Sequence, residues 1–136
     1  MKKVIGIIVG FVLGLIIVGV GHVISSGMYP PPEDLNINDQ EMLIEYIQGM
    51  PTKAIVFVIF SHAMAGFFSA FIAARLSDEY KLYVGYFVGV LFVISTVVNA
   101  FSLPHSFAVA GIDIFSTIFL AFLGARLGAR SGENPK

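Results

Sequence analysis

Cysteine is absent from the 136-residue chain, which removes disulfides, thiolate metal sites, palmitoylation and a lipoprotein cysteine from the chemistry open to it. Tryptophan is absent too, so interfacial anchoring by aromatic residues falls to tyrosine. Charge is scarce: Asp, Glu, Lys and Arg make up 12% of the residues, against about 25% in an ordinary soluble domain. Apolar residues are in excess at 57%. Too little polar surface is left for a water-soluble fold, and the composition is that of a membrane protein.

Four apolar runs, residues 4–27, 54–74, 82–103 and 107–127, are each long enough to cross a hydrocarbon core of about 30 Å as a helix. With their connections they consume nearly the whole sequence. The expectation is an all-α membrane protein, a single membrane domain built as a four-transmembrane-helix bundle, with no room for a soluble catalytic domain. Lys2, Lys3, Arg75, Lys81, Arg126, Arg130 and Lys136 fall on one side of such a bundle and only Lys53 on the other. The positive-inside rule therefore puts both termini and the tail 128–136 in the cytoplasm, and the acidic loop 28–53 outside. Tyr29 and Tyr46 outside and Tyr80 and Tyr83 inside are placed to anchor the interfaces. The start of the chain also resembles a secretory signal, but its apolar run exceeds the usual ~7 to 15 residues of a signal core. It is read as a retained span.

Small residues set the packing faces. Gly6, Gly10 and Gly14 recur every four residues and make a flat stripe on which another helix can pack closely. At about 100° per residue, His62, Gly66, Ser69 and Ala73 share one face of the second span, while Asp113, Thr117, Leu120 and Gly124 share one face of the fourth. Close backbone approach and interhelical hydrogen bonds hold helices together in lipid, so these faces point inward. There is also an internal echo: AFIAARL (70–76) and AFLGARL (121–127) agree at five of seven positions, at an offset that maps His62 onto Asp113. Two repeated helical hairpins are one reading of the echo. The shared composition of membrane-helix ends is the other.

An aspartate at the centre of a membrane helix costs about 2.5–3.5 kcal/mol on insertion scales, so Asp113 is expected to be protonated or partnered. Counted inward at ~1.5 Å per residue, Asp113, His62, His22 and Asn99 form one polar layer in the outer half of the bundle. Ser95 and Thr96 lie one turn below Asn99, and His105 sits in the loop above. His62 and His22 are the nearest candidate partners for Asp113.

The outer loop reads as ordered. Tyr29-Pro30-Pro31-Pro32 predicts stiff polyproline II. A short helix follows, with Asn38 as N-cap, Glu41 at N3, and Gly49 then Pro51 as its stop. Leu43, Ile44, Ile47 and Met50 fall on one side, which suits a helix lying on the membrane surface or over the outer mouth of the bundle.

The segments YPPPEDLNIND, SHAMAGFFSAFIAARL, VVNAFSLPH and GIDI resemble a family of small uncharacterised four-helix membrane proteins of the bacterial inner membrane. The resemblance implies the bundle and that location; the family has no established activity to lend. By size the chain is also similar to small multidrug-resistance transporters, but it lacks their first-helix glutamate and very short loops.

Specific chemistries find little footing. Two haem-ligating histidines need matching depth, and His22 and His62 differ by about a turn. A metal site of His22, His62 and Asp113 has suitable ligand types but no dense spacing motif. Ser61 and His62 are adjacent on a helix and point about 100° apart, which excludes a dyad. The Arg and Lys residues sit where topology requires them and face lipid headgroups, not nucleic acid. The expectation is no cofactor, no metal and no enzymatic activity. Its partners are the lipid bilayer and either a homo-oligomer or a larger membrane-protein complex. Two functions remain: a non-enzymatic accessory or scaffold protein whose polar layer is interhelical glue, and a proton-coupled or small-solute transporter or channel component using Asp113 and His62.

Overall fold

The computed structural model describes residues 1–103 and 106–131, so His105 and Lys136 lie outside the described residues. Five helices follow in order: α1 (Lys2–Met28), α2 (Gln40–Gln48), α3 (Thr52–Leu76), α4 (Lys81–Ser102) and α5 (Phe107–Arg130). No strand occurs among the described residues. α1, α3, α4 and α5 are long and apolar enough to cross a membrane. A helix satisfies its backbone polar groups internally, which a spanning segment must do where water is absent. The chain is thus an all-helical protein of multi-pass membrane character.

Burial runs opposite to that of a soluble protein. The buried residues of α1 are Gly6, Gly10, Gly14, Gly21 and Ser25, while Val4, Ile5, Ile8, Leu15, Ile16 and Val20 are exposed. In water such a continuous apolar face would drive aggregation; in lipid it is the solvated face.

α1 runs antiparallel along α3, α4 runs antiparallel to α3 and α5, and α3 and α5 lie side by side and parallel. The core between them is Ala65, Ala73, Val84, Val88 and Phe92, with Ile7, Ile17 and Val18 packed against it. α1 touches α4 lightly and has no close approach to α5 among the described residues. The start of α1 and the end of α5 lie at one end of the bundle, here called proximal; α2 lies at the distal end.

Close approach demands glycine at two of these seams. A Cβ at Gly10 would stand 2.5 Å from the carbonyl oxygen of Ser69 and 2.9 Å from the Ala73 methyl. On the other side of α3, Gly124 and Gly128 lie against the Phe67 and Phe71 carbonyls, where a Cβ would collide with backbone. Gly6 and Gly10 of the four-residue stripe therefore face α3, Gly14 faces Phe92 of α4, and α3 is gripped by glycine on both flanks.

The N-cap of α2 differs from the sequence expectation. Asp39, not Asn38, accepts hydrogen bonds from the backbone N–H groups of Glu41 (3.0 Å) and Met42 (3.3 Å). Asn36 Oδ1 instead accepts from the Asn38 backbone N–H at 3.0 Å, so an Asx turn precedes the cap and moves it one residue on. α2 is fixed to the end of α1 by Tyr46. Its ring stacks on Tyr29 at 5.1 Å, and its hydroxyl donates to the Tyr29 carbonyl at 3.0 Å. Leu43 and Ile44 line a cavity of about 130 Å³ with Phe101, Ser102 and Leu103 at the distal end of α4. Met50, just after α2, closes a smaller cavity that reaches Asp113. α2 is thus held between the distal ends of α1 and α4.

Candidate functional site

The residue with the most to explain is Asp113, one turn and a half into α5. It is 6% exposed, and its Oδ2 lies 2.8 Å from Nδ1 of His62 on α3. His62 is 5% exposed. With Asp113 ionised, the His62 Nδ1–H donates to the carboxylate; with Asp113 protonated, its O–H donates to Nδ1. In either state one proton lies between two buried groups and α3 is tied to α5.

The four polar residues expected in one layer are not equally engaged. The His22 ring neighbours that of His62, with centroids 5.7 Å apart and planes tilted by 58°, but His22 itself is exposed at the edge of the bundle. Asn99 shares a cavity of about 80 Å³ with His22, His62, Ser95 and Thr96. Thr96 turns back on its own helix, donating to the Phe92 carbonyl at 3.0 Å. The direct bond is therefore between His62 and Asp113, with His22 and Asn99 as neighbours across a small polar space.

Asp113 Oδ1 and Thr117 Oγ1 are buried without a hydrogen-bond partner among the described residues. Such atoms cost free energy unless water reaches them. A cavity of about 30 Å³ lined by Met50, Ile55, Ala100 and Asp113 lies on the distal side of the pair, and one water needs roughly 10–15 Å³ of such space. Toward the proximal end the packing tightens instead. A Cβ at Gly66 would meet Thr117 Cγ2 at 3.2 Å and Ala121 Cβ at 3.5 Å, and Ser69, Ala70 and Ala73 are fully buried. The His62–Asp113 pair is thus flanked by small cavities distally and toward His22, and by close packing proximally.

Among the described residues no group of three or more His, Asp or Glu side chains is arranged to hold a metal ion.

The internal echo has a geometric counterpart. His62 bonds Asp113 and Gly66 abuts Thr117, and both pairs join residues 51 apart in sequence. Equivalent positions of two repeats meet in this way on a two-fold axis between α3 and α5. The symmetry is incomplete: it would seat α1 on α5 as α4 sits on α3, and α1 does not reach α5.

Sequence reasoning singled out Gly6, Gly10, Gly14, Gly66 and Gly124, all of which are buried. It did not single out Gly21, which lies against Ser61, nor Gly85, Gly89 and Gly128. Gly85 and Gly89, like Gly124 and Gly128, repeat the four-residue spacing of α1, and that signal was available. The cluster of Tyr86, Phe122 and Arg126 at the proximal end of α4 and α5 was not foreseen, since it joins residues 36 and 40 apart.

Fold and site together define the class, an α-helical multi-pass membrane protein with a buried His–Asp pair. No family model, curated protein or solved structure matches the chain.

Proposed function

We propose that this chain is a non-enzymatic accessory or scaffold protein of the bacterial inner membrane, with both termini in the cytoplasm, in which the buried His62–Asp113 bond serves as interhelical glue. The observation that carries this reading is the direct bond between the two side chains, with close packing on one side of them. Both side chains are buried and bonded to one another, and the helices close tightly on their proximal side. A transport path needs polar groups that continue across the membrane. The resemblance to small four-helix bacterial membrane proteins supports the location, and the lipid-facing surface of α1 offers area for a second copy or a larger membrane partner.

A second reading rests on one observation, the unpartnered Asp113 Oδ1 beside a small distal cavity. In that reading Asp113 takes up and releases a proton as part of a transporter or channel component. Dissipation of a pH gradient in proteoliposomes tests the two. The scaffold reading expects wild-type protein and Asp113→Asn to leak protons equally and no faster than protein-free liposomes. Faster leak through the wild type, abolished in Asp113→Asn, overturns it in favour of transport, because an amide cannot titrate.

A further inference from the structure

A groove of about 350 Å³ runs between α4 and α5 on the lipid-facing side of the bundle. Its floor is Gly89 and Ala121, where the absence of large side chains lets the helices touch: a Cβ at Gly89 would stand 3.1 Å from that of Ala121. Val90 and Val93 form one wall and Ile118 part of the other. The proximal end is closed by the Tyr86 and Phe122 rings, stacked at 5.1 Å and 11°. Arg126 lies over this pair. Its guanidinium carbon is 4.2 Å from the Phe122 ring centroid, and its Nε–H donates to the Tyr86 hydroxyl at 3.4 Å.

These contacts hold a cation at the mouth of an apolar groove. Stacking on an aromatic face and bonding through Nε leave the two Nη groups without a hydrogen-bond partner among the described residues, and a guanidinium fork matches the oxygens of a phosphate. From Ile118 to Arg126 the helix rises about 12 Å, roughly the distance from headgroup level to mid-bilayer. An acyl chain descending from a phosphate at Arg126 therefore lies along the groove for its length.

We propose that this groove is a binding site for a single phospholipid with an anionic headgroup, its phosphate on Arg126 and one acyl chain on Gly89 and Ala121. The site is separate from the His62–Asp113 pair and is independent of the scaffold reading.

Native mass spectrometry of the purified full chain tests it, with micelles supplemented by equal amounts of phosphatidylglycerol and phosphatidylcholine of identical acyl chains. One phosphatidylglycerol adduct in preference to phosphatidylcholine is expected. Arg126→Gln should reduce that preference about five-fold, the effect of losing one cation at an anionic headgroup, while Arg130→Gln leaves it unchanged. Val90→Phe, a lipid-facing change that fills the groove and keeps Arg126, should lower adducts of both lipids. Equal adducts on the wild type, a preference kept in Arg126→Gln, an equal loss in Arg130→Gln, or unchanged adducts in Val90→Phe would each overturn the proposal.

Discussion

A carboxylate in a membrane helix is tolerable only when something replaces its water, and at the scale of single residues that requirement shapes the site. His62 supplies the replacement at one oxygen of Asp113; the other oxygen has no partner among the described residues. Asparagine at 113 keeps an acceptor and a donor for His62, whereas leucine leaves the imidazole buried and unpaired. Asp113→Asn is therefore expected to lower unfolding stability in detergent by no more than about 1 kcal/mol, and Asp113→Leu by about 1–3 kcal/mol. Chemical denaturation followed by circular dichroism measures both. The inward direction of Asp113 was legible in the sequence because lipid excludes the alternative. The choice of His62 over His22 and Asn99 was not. Counting depth along separate helices places His62 a few ångströms deeper than Asp113, yet the two side chains meet, because α3 and α5 begin at different heights and sequence does not fix the offset. Nor does it fix the rotation of α1, which leaves His22 at the bundle edge.

Among elements, the four long helices were legible to within three residues at either end, since an apolar run of membrane length has one structural solution in lipid. The glycine stripe of α1 was legible as a packing face, but its partner was not, because α3, α4 and α5 all offer small residues. Gly10 and Gly19 share a helix and differ in what a side chain would meet: Ser69 and Ala73 at the first, nothing within 4 Å at the second. Gly10→Leu is expected to cost at least about 1–3 kcal/mol by overpacking, and Gly19→Leu to be neutral or slightly stabilising. Thermal unfolding in detergent compares them directly, and equal melting temperatures would place the stripe against lipid. α2 gives a pH-dependent case. Partial burial, and then the neighbouring Tyr29 phenol, push the Tyr46 hydroxyl above its ordinary value. A raised folded-state value means that Tyr46 stabilises α2 docking fully below the unfolded tyrosine pKa of about 10 and loses that contribution as pH rises through the folded value. Hydrogen exchange of α2 amides should accelerate over that range in the wild type, and Tyr46→Phe should remove this step while exchanging faster at neutral pH. The cap at Asp39 escaped the sequence reading for a local reason: Asn36, Asn38 and Asp39 are all capable caps, and the Asx turn at Asn36 decides between them.

For the whole molecule, the seam between α3 and α5 joins the two hairpins, α1 with α3 and α4 with α5. The repeated AFxxARL ends stand at the ends of α3 and α5, the two helices that meet at this seam. The missing contact between α1 and α5 was not legible, because an apolar span carries no mark of which neighbour it lacks. Orientation is the simplest claim at this scale: reporter fusions at residue 40 and at the C-terminus should report outside and cytoplasm respectively. The central claim is that His62–Asp113 holds the hairpins together, and a double-mutant cycle in detergent tests it most directly. His62→Ala, Asp113→Ala and the double variant are compared by equilibrium unfolding. The account expects a coupling energy of at least about 1 kcal/mol, with the double variant more stable than the sum of the single losses implies; losses that simply add would contradict it.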